Sequence, residues 1–277
     1  MGKLIGKLRD RLTEWRGDPW LACSALFVLS TGRTGTDSLA RSLSLFPGVR
    51  VHHEPCPQLK RERQQAFWDV HDRPADYARV FRDGRRRLVG EAHRRGLIYA
   101  ETSARLTFFA PVIVDLMPNS KFLYIHRHAA DVIRSGMRRG WYDHHPDDPF
   151  RILPPPGSDA ANQWDGWTRF QKICWYWDAY NRFALDFTSL VDKNHLLVLA
   201  AERFFGSPMM VLHEMASLMG VSSLPEDRLR EVAAKPHNVQ ANCEFPALHE
   251  WTPEMKHQCE AIAGETMARL GYNLDAV

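Results

Sequence analysis

Short apolar runs alternate along this chain with stretches that follow the 3.6-residue repeat of a helix. Five runs have the composition of strands: Leu26–Leu29, Val49–His53, Leu97–Glu101, Phe122–His126 and Leu196–Ala200. Between two of them, apolar residues at helical spacing predict a helix; they are Leu106, Phe109, Ala110, Ile113, Val114 and Met117. This alternation predicts an α/β fold with a central parallel β-sheet flanked by helices on both faces.

Two further segments have patterns of their own. A long helix is predicted from about Gly166 to Leu190, burying one face that contains Phe170, Cys174 and Trp177. The preceding segment, Tyr142–Asp165, is rich in Pro, Asp and Gly and is expected to be an irregular excursion, of the kind that often forms a binding surface.

The N-terminus reads as an amphipathic helix, so we divide the chain into residues 1–20, this helix, and residues 21–277, one domain. Leu4, Ile5, Leu8, Leu12 and Trp15 fall on one side of the helix and basic residues elsewhere. Two interpretations remain open: packing on the domain or on another subunit, and peripheral contact with a membrane.

Composition narrows the class of protein. The chain has 277 residues, 44% hydrophobic and 25% charged, which suits one enzyme-sized domain with a full core. Its net charge of +3 is too small to indicate a nucleic-acid partner. Five cysteines without a CxxC pair favour a reducing compartment, and no apolar run or signal-peptide pattern suggests export. We therefore expect a cytoplasmic protein.

The first candidate site follows the first strand, where Ser30–Ser38 reads Ser-Thr-Gly-Arg-Thr-Gly-Thr-Asp-Ser before a helical pattern. Glycines let the backbone approach an anion closely, and the N–H groups of the next helix point toward it. The segment lacks the lysine of a Walker A motif, but Arg33 stands between the two glycines and supplies a cation. The pattern predicts a phosphate or sulfate site.

A second candidate site follows the fourth strand, which ends in His126-Arg127 and leads into a helix over Ala129–Arg139 that carries Ser135. The carboxyl ends of parallel strands share one edge of the sheet, so Arg127 is expected on the same edge as the glycine loop. Two anion sites on one edge indicate a ligand with phosphates at both ends.

Together these motifs resemble the sulfotransferases that use 3′-phosphoadenosine-5′-phosphosulfate (PAPS), which have a P-loop NTPase-like architecture. The resemblance implies that the 5′-phosphosulfate is held by the loop residues Arg33, Thr34, Gly35, Thr36, Asp37 and Ser38. It implies that Arg127 and Ser135, eight positions apart, bind the 3′-phosphate. Pro118–Phe122, Leu196–Leu199 with Glu202, and Leu270-Gly271-Tyr272 are similar to other parts of the family pattern.

The chain also departs from the family pattern. His128-Ala129 replaces the usual Asp or Asn and Pro after the strand-ending arginine, and Tyr99–Ser103 lacks the lysine that many members place near the leaving oxygen. We therefore expect Arg33 to supply most of the positive charge there. Lys235 is a weak counterpart of the family's late Arg-Lys-Gly segment.

The base that activates the acceptor has three candidates at the end of the second strand. Glu54 is the first choice, because a Glu-Pro at this point is similar to the carbohydrate enzymes and a glutamate in this region serves the tyrosylprotein enzymes. Pro55 is expected to hold Glu54 extended. His52 and His53 are the alternatives, as in the cytosolic enzymes, and only one of them can face the site because neighbours in a strand point to opposite sides.

The sequence thus predicts a catalytic set of Glu54, Arg33, His52 and His53, and a PAPS-dependent sulfotransferase acting on a hydroxyl or, secondarily, an amine. The acceptor is expected to be a small molecule or a carbohydrate. No metal is expected, since Asp143–Asp148 contains metal-ligand residue types without fixed helical spacing. Two alternatives stay open: a nucleotide-dependent phosphoryl transferase, and a catalytically silent nucleotide-binding scaffold.

Overall fold

A computed structural model describes residues 17–225 and 244–275. The predicted N-terminal helix, whose apolar side runs from Leu4 to Trp15, and the candidate Lys235 lie outside these residues. Within the two described ranges, no helix has the length and the apolar character needed to cross a bilayer.

The strands and helices follow one another along the chain in an α/β order. The strands are β1 (Ala25–Leu29), β2 (Val49–His53), β3 (Ile98–Thr102), β4 (Ser120–His126) and β5 (Leu196–Ala200). The helices are α1 (Pro19–Ala22), α2 (Thr36–Leu43), α3 (Lys60–Asp69), α4 (Pro74–Arg94), α5 (Ala110–Leu116), α6 (Ala129–Arg138), α7 (Asp159–Gln163), α8 (Arg169–Thr188), α9 (Ala201–Gly206), α10 (Pro208–Met219) and α11 (Pro253–Arg269). Short 3₁₀ segments occur at Ala104–Phe109, Asp148–Phe150, Trp164–Gly166, Lys193–His195 and Leu248–Glu250.

The five strands form one parallel sheet in the order β2-β3-β1-β4-β5, which confirms the predicted fold class. Helices cover both faces, as the central strand shows. Phe27 and Leu29 pack into the larger core cluster on one face, while Leu26 and Val28 pack into the smaller cluster on the other. The chain leaves β1 for the edge strand β2 and later crosses to β4. This reversal opens a crevice at the carboxyl ends of the central strands.

Three predicted elements differ from the observed ones in local detail. Helix α8 begins at Arg169 because Thr168 caps it, its hydroxyl accepting from Gln171 N while the Gln171 side chain accepts from Thr168 N. The predicted helix through Leu106–Met117 starts as a 3₁₀ segment and becomes α-helical only at Ala110. The irregular excursion contains the short helix α7.

Helix α4 is fixed to the sheet by a buried ion pair. Arg85 donates to Glu101 on β3 through both Nε (2.7 Å to Oε2) and NH2 (2.8 Å to Oε1). Tyr99 also donates to Glu101, and both charged side chains are excluded from solvent. Because every charged oxygen has a donor, the pair is tolerated in the core.

Candidate active site at the carboxyl edge of the sheet

The glycine loop after β1 has the backbone of an anion cradle. Gly32 and Gly35 adopt φ of 77° and 87°, a region that suits glycine, and Arg33 between them is also left-handed at 61°. Gly35 is the N-cap of α2, so the free N–H groups of that helix face the loop. A non-glycine residue at positive φ costs of order 1–3 kcal/mol, and such residues concentrate at functional sites.

Two side chains from other elements hold this loop in place through three hydrogen bonds. Thr107, in the 3₁₀ segment after β3, accepts from Ser30 N at 3.0 Å and donates to Ser30 O at 3.0 Å. Tyr176 on α8 donates to Thr31 O at 3.0 Å. The loop is therefore fixed by the domain core, which prepares its geometry before any ligand binds.

The two predicted anion sites meet. Arg33 Nε donates to Ser135 Oγ on α6 at 3.1 Å, and the Arg127 guanidinium donates to Arg33 O at 3.2 Å. Arg127 also pairs with Asp131 at 2.9 Å. The side chain of His128, which replaces the acid or amide of the family pattern, caps α6 by accepting from Ala130 N at 3.2 Å.

The loop is electrostatically prepared for a negative ligand. The pKa of Arg33 is lowered to about 10, chiefly by burial and further by the positive charges of Arg139 and Arg127. Burial also lowers the pKa of Arg139. Cations crowded at the loop indicate a site that an anion would complete.

An exposed aromatic ring stands at the mouth of the loop. Phe205, at the end of α9, is 51% exposed and its ring lies 5.8 Å from the Arg127 guanidinium. A β-carbon on Gly35 would come within 2.6 Å of that ring, so Gly35 is needed for the close approach.

The candidate base lies across the cavity from α2. Glu54 pairs with Arg105, which lies in the 3₁₀ segment after β3. Its φ is 44°, so the prediction that Pro55 holds it extended is wrong. The strand ends at His53, and the left-handed turn at Glu54 accompanies the ion pair with Arg105.

The two histidines of β2 point in different directions, as neighbours in a strand do. His53 lines the cavity, with its Nδ1 2.9 Å from Thr102 Oγ1. His52 packs against the Tyr99 ring instead, and burial lowers its pKa. Of the two, only His53 lines the cavity with Glu54.

A cavity of about 340 Å³ joins these groups, and its lining extends beyond the predicted residues. Thr36, Asp37 and Ser38 line it at the loop, and Arg127 lines it beside the loop. Further lining cations were not predicted from the sequence: Lys60, Arg63, Arg105, Arg139 and Arg151. The cavity therefore holds more positive charge than Arg33 alone supplies, and the expectation that Arg33 provides most of the charge at the leaving oxygen stays a prediction.

Arg105 was not among the predicted site residues, although its position in the sequence gives a signal. It follows the end of β3 by three residues, close to where many members of the family place their lysine. Lys60 and Arg63 lie one turn apart on α3, and Arg151 lies in the excursion, so no sequence motif connects them.

The late family-like residues form a cluster beside β4. Tyr272 lies 2.8 Å from His126 Nδ1 and donates to Glu202 at 3.0 Å. Glu202 also accepts from His128 N at 2.9 Å. Among the described residues, no group of three side chains that could bind a metal comes together.

Solved sulfotransferases share this fold. The enzyme from Alicyclobacillus acidocaldarius is 20% identical, with a TM-score of 0.51 and coverage of 90% of this chain and 95% of that one. Mouse SULT7A1, solved in complex with PAP, is 16% identical, with a TM-score of 0.53 and coverage of 88% and 85%. STF9 from Mycobacterium avium is 14% identical, with a TM-score of 0.54 and coverage of 98% and 82%.

The sequence itself matches no protein-family model, and a search of curated proteins found no match. The structural likeness nevertheless establishes the class of fold: a P-loop-like α/β domain of the sulfotransferase type. The resemblance seen in the sequence motifs is confirmed at this level.

Proposed function

We propose that this chain is a sulfotransferase that moves a sulfuryl group from PAPS to an acceptor hydroxyl. The observation that carries the proposal is the meeting of Arg33, Arg127 and Ser135, from two motifs 102 residues apart, at one edge of the sheet. That edge is where open α/β sheets bind ligands. The sulfotransferase fold supports PAPS as the donor. The complex of mouse SULT7A1 with PAP, which is 3′,5′-ADP, supports it as well.

In this proposal the glycine loop binds the 5′ end of the donor PAPS, and residues at and within α6 bind its 3′ end. The N–H groups of Thr34, Gly35 and Thr36, with Arg33, bind the 5′-phosphosulfate, and Asp37 and Ser38 continue the cradle into α2. Arg127 and Ser135 bind the 3′-phosphate. The bound donor supplies the activated sulfuryl group.

We propose that Glu54 accepts the proton of the acceptor hydroxyl. As the acceptor oxygen bonds to sulfur, the bond from sulfur to the phosphate oxygen breaks, and 3′,5′-ADP leaves with that electron pair. Cations stabilise the developing charge on the leaving oxygen. Arg105 orients Glu54 through their ion pair. His53 stays the competing base, since it lines the same cavity.

We propose a small molecule or a carbohydrate as the acceptor, with no nucleic-acid partner. We also propose a cytoplasmic location. The free thiols support it: Cys23, Cys174 and Cys259 are buried and Cys56 is exposed, all unpaired. Self-association or membrane contact through the N-terminal segment stays a proposal from the sequence.

The test compares the thermal stabilisation produced by 3′,5′-ADP, by 5′-ADP and by ATP with Mg²⁺. A sulfotransferase should prefer 3′,5′-ADP clearly, because Arg127 and Ser135 read the 3′-phosphate. A preference for ATP with Mg²⁺ would contradict the proposal in favour of a phosphoryl transferase. Tight 3′,5′-ADP binding without transfer to any acceptor, screened with labelled PAPS, would indicate a silent scaffold.

A further inference from the structure

A second part of the cavity, which we call the distal end, is lined by α3 and by the excursion after α6. Lys60 pairs with Asp147 at 2.6 Å. Arg63 donates to Phe150 O, and the Arg151 guanidinium lies 4.4 Å from the Trp141 ring centre. These contacts give the distal end fixed walls of cations and aromatic rings.

Arg63 is the unusual residue of this end. Its side chain is only 7% exposed, it lines the cavity, and its Nε has no hydrogen-bond partner in the described ranges. A buried guanidinium donor without an acceptor is costly, and native proteins rarely leave one unmet. Because Arg63 lines the cavity, an oxyanion bound there to its guanidinium would offset this cost.

The charges around the cavity leave this donor without a carboxylate. Asp147 forms an ion pair with Lys60 and lies 3.8 Å from Arg105. Glu54 forms an ion pair with Arg105. Arg139 likewise has an unpartnered Nε within the described ranges. The donor in the proposed function would engage Arg33 and Arg127, and Arg139 acts on Arg33 at that end. Arg63 forms no ion pair in the described ranges; burial acts to lower its pKa, but nearby groups, the charge of Asp147 among them, raise it.

The titratable neighbour His145 shows that the distal end is desolvated. His145 lines the cavity, and its pKa is lowered by burial first and then by the charge of Arg151. Asp147 and Asp148 oppose this effect without reversing it. The distal end is thus a desolvated cationic pocket with aromatic walls.

We propose that the acceptor carries an oxyanion group, a carboxylate or a phosphate or sulfate ester, which Arg63 binds at the distal end. This inference rests on the proposed function, since it names the class of acceptor for the same site. The anionic group would anchor the acceptor at Arg63 while its hydroxyl faces Glu54. Arg63 is therefore a specificity-determining residue, separate from the donor-binding cations.

The experiment uses inorganic phosphate as the probe. The full-length protein is first saturated with 3′,5′-ADP, which occupies the donor end, and phosphate is then titrated in by calorimetry. The wild type should bind one phosphate, and Arg63→Gln should weaken that binding about ten- to a hundredfold, the loss of one charge-assisted contact. Affinity for 3′,5′-ADP should not change, which also verifies that the variant is folded.

Two further variants sharpen the result. Arg61→Gln removes an equal charge from an exposed position on the same helix and should leave phosphate binding unchanged. Arg63→Lys keeps the charge and should recover part of the lost affinity, even if Arg63→Gln disturbs the contact with Phe150. A crystal of the wild type grown with both ligands should show phosphate beside Arg63.

The outcomes separate the two proposals. If 3′,5′-ADP does not bind, the proposed function itself fails. If 3′,5′-ADP binds but phosphate does not bind the complex, or binds equally well to Arg63→Gln, the anionic-acceptor inference is overturned. Phosphate density beside Arg33 alone, with none at Arg63, would overturn it as well.

Discussion

Glu54 has a backbone conformation that few residues with a β-carbon adopt, and a single neighbour accounts for where its carboxylate points. With φ of 44° it turns out of β2 and meets Arg105. The residue before a proline is biased toward extended conformations, which is why the sequence alone predicted otherwise. Strain of this kind persists only where surrounding contacts determine it, so the turn argues for a functional position.

Replacing Glu54 with Gln keeps size and polarity but removes the ability to take a proton. We expect turnover to fall about a hundred- to ten-thousandfold, the usual contribution of a general base, with 3′,5′-ADP affinity nearly unchanged. Single-turnover transfer from labelled PAPS measures the effect. His52→Ala is the control, because His52 packs on Tyr99 outside the cavity. If His53→Ala were inactive while Glu54→Gln remained active, the base would be His53 and not Glu54.

Arg127 should distinguish the two ends of the donor. Arg127→Ala removes a charge-assisted contact of about 1.5–3 kcal/mol, so affinity for 3′,5′-ADP should fall about ten- to a hundredfold while 5′-ADP binding changes little. Calorimetry with both nucleotides measures this. Arg203→Ala, on α9 and paired with Glu214, is the control. Equal losses for the two nucleotides would show that Arg127 does not read the 3′ end.

At the scale of elements, apolar patterns located the strands but did not show where each helix begins. All five strands lie within two residues of their predicted limits, because apolar runs between turn-forming residues have few other structures available. The start of α8 depends on the cap formed by Thr168 and Gln171. The 3₁₀ segment after β3 depends on the contacts of Thr107 with the glycine loop. Both depend on contacts that apolar periodicity does not encode.

The ion pair between α4 and β3 gives a prediction about stability. Arg85→Ala leaves the Glu101 carboxylate buried without its partner, so we expect a loss of about 3–5 kcal/mol in the free energy of unfolding. Urea denaturation measures it. Arg86→Ala, one residue along the same helix in an exposed pair with Asp83, should cost less than about 0.5 kcal/mol. Arg85→Met combined with Glu101→Leu should recover most of the loss; an Arg85→Ala variant as stable as wild type would contradict the argument.

At the scale of the molecule, the strand order decides which distant residues share a site. Because β1 lies between β3 and β4, the ends of all three strands open on one crevice. The sequence pattern predicted the shared edge of the sheet but not this strand order. Arg63 and Arg151 reach that crevice from α3 and from an irregular segment, whose packing no periodicity describes. The donor end of the site was therefore predictable from its motifs and the shared edge, whereas the distal end required the three-dimensional structure.

The cluster of His126, Tyr272 and Glu202 beside β4 is expected to make the free energy of unfolding depend on pH. Burial lowers the pKa of His126, although the charge of Glu202 acts in the opposite direction. In the folded protein His126 therefore binds a proton less readily than in the unfolded chain, where a histidine has its ordinary pKa of about 6.5. Since the unfolded state then binds more protons, the free energy of unfolding should decrease as the pH falls below that value.

His126→Asn cannot titrate, so its free energy of unfolding should change less steeply between pH 7 and pH 5 than that of the wild type. The largest contribution one group can make is about 1.4 kcal/mol per pH unit, and urea denaturation at several pH values resolves such a difference. Tyr272→Phe removes the hydroxyl beside the ring but keeps the histidine; it should lower stability at pH 7 and retain most of the slope. His52 and His145, whose pKa values are also lowered, leave a residual slope in both variants. An unchanged slope in His126→Asn would show that His126 does not couple folding to protonation.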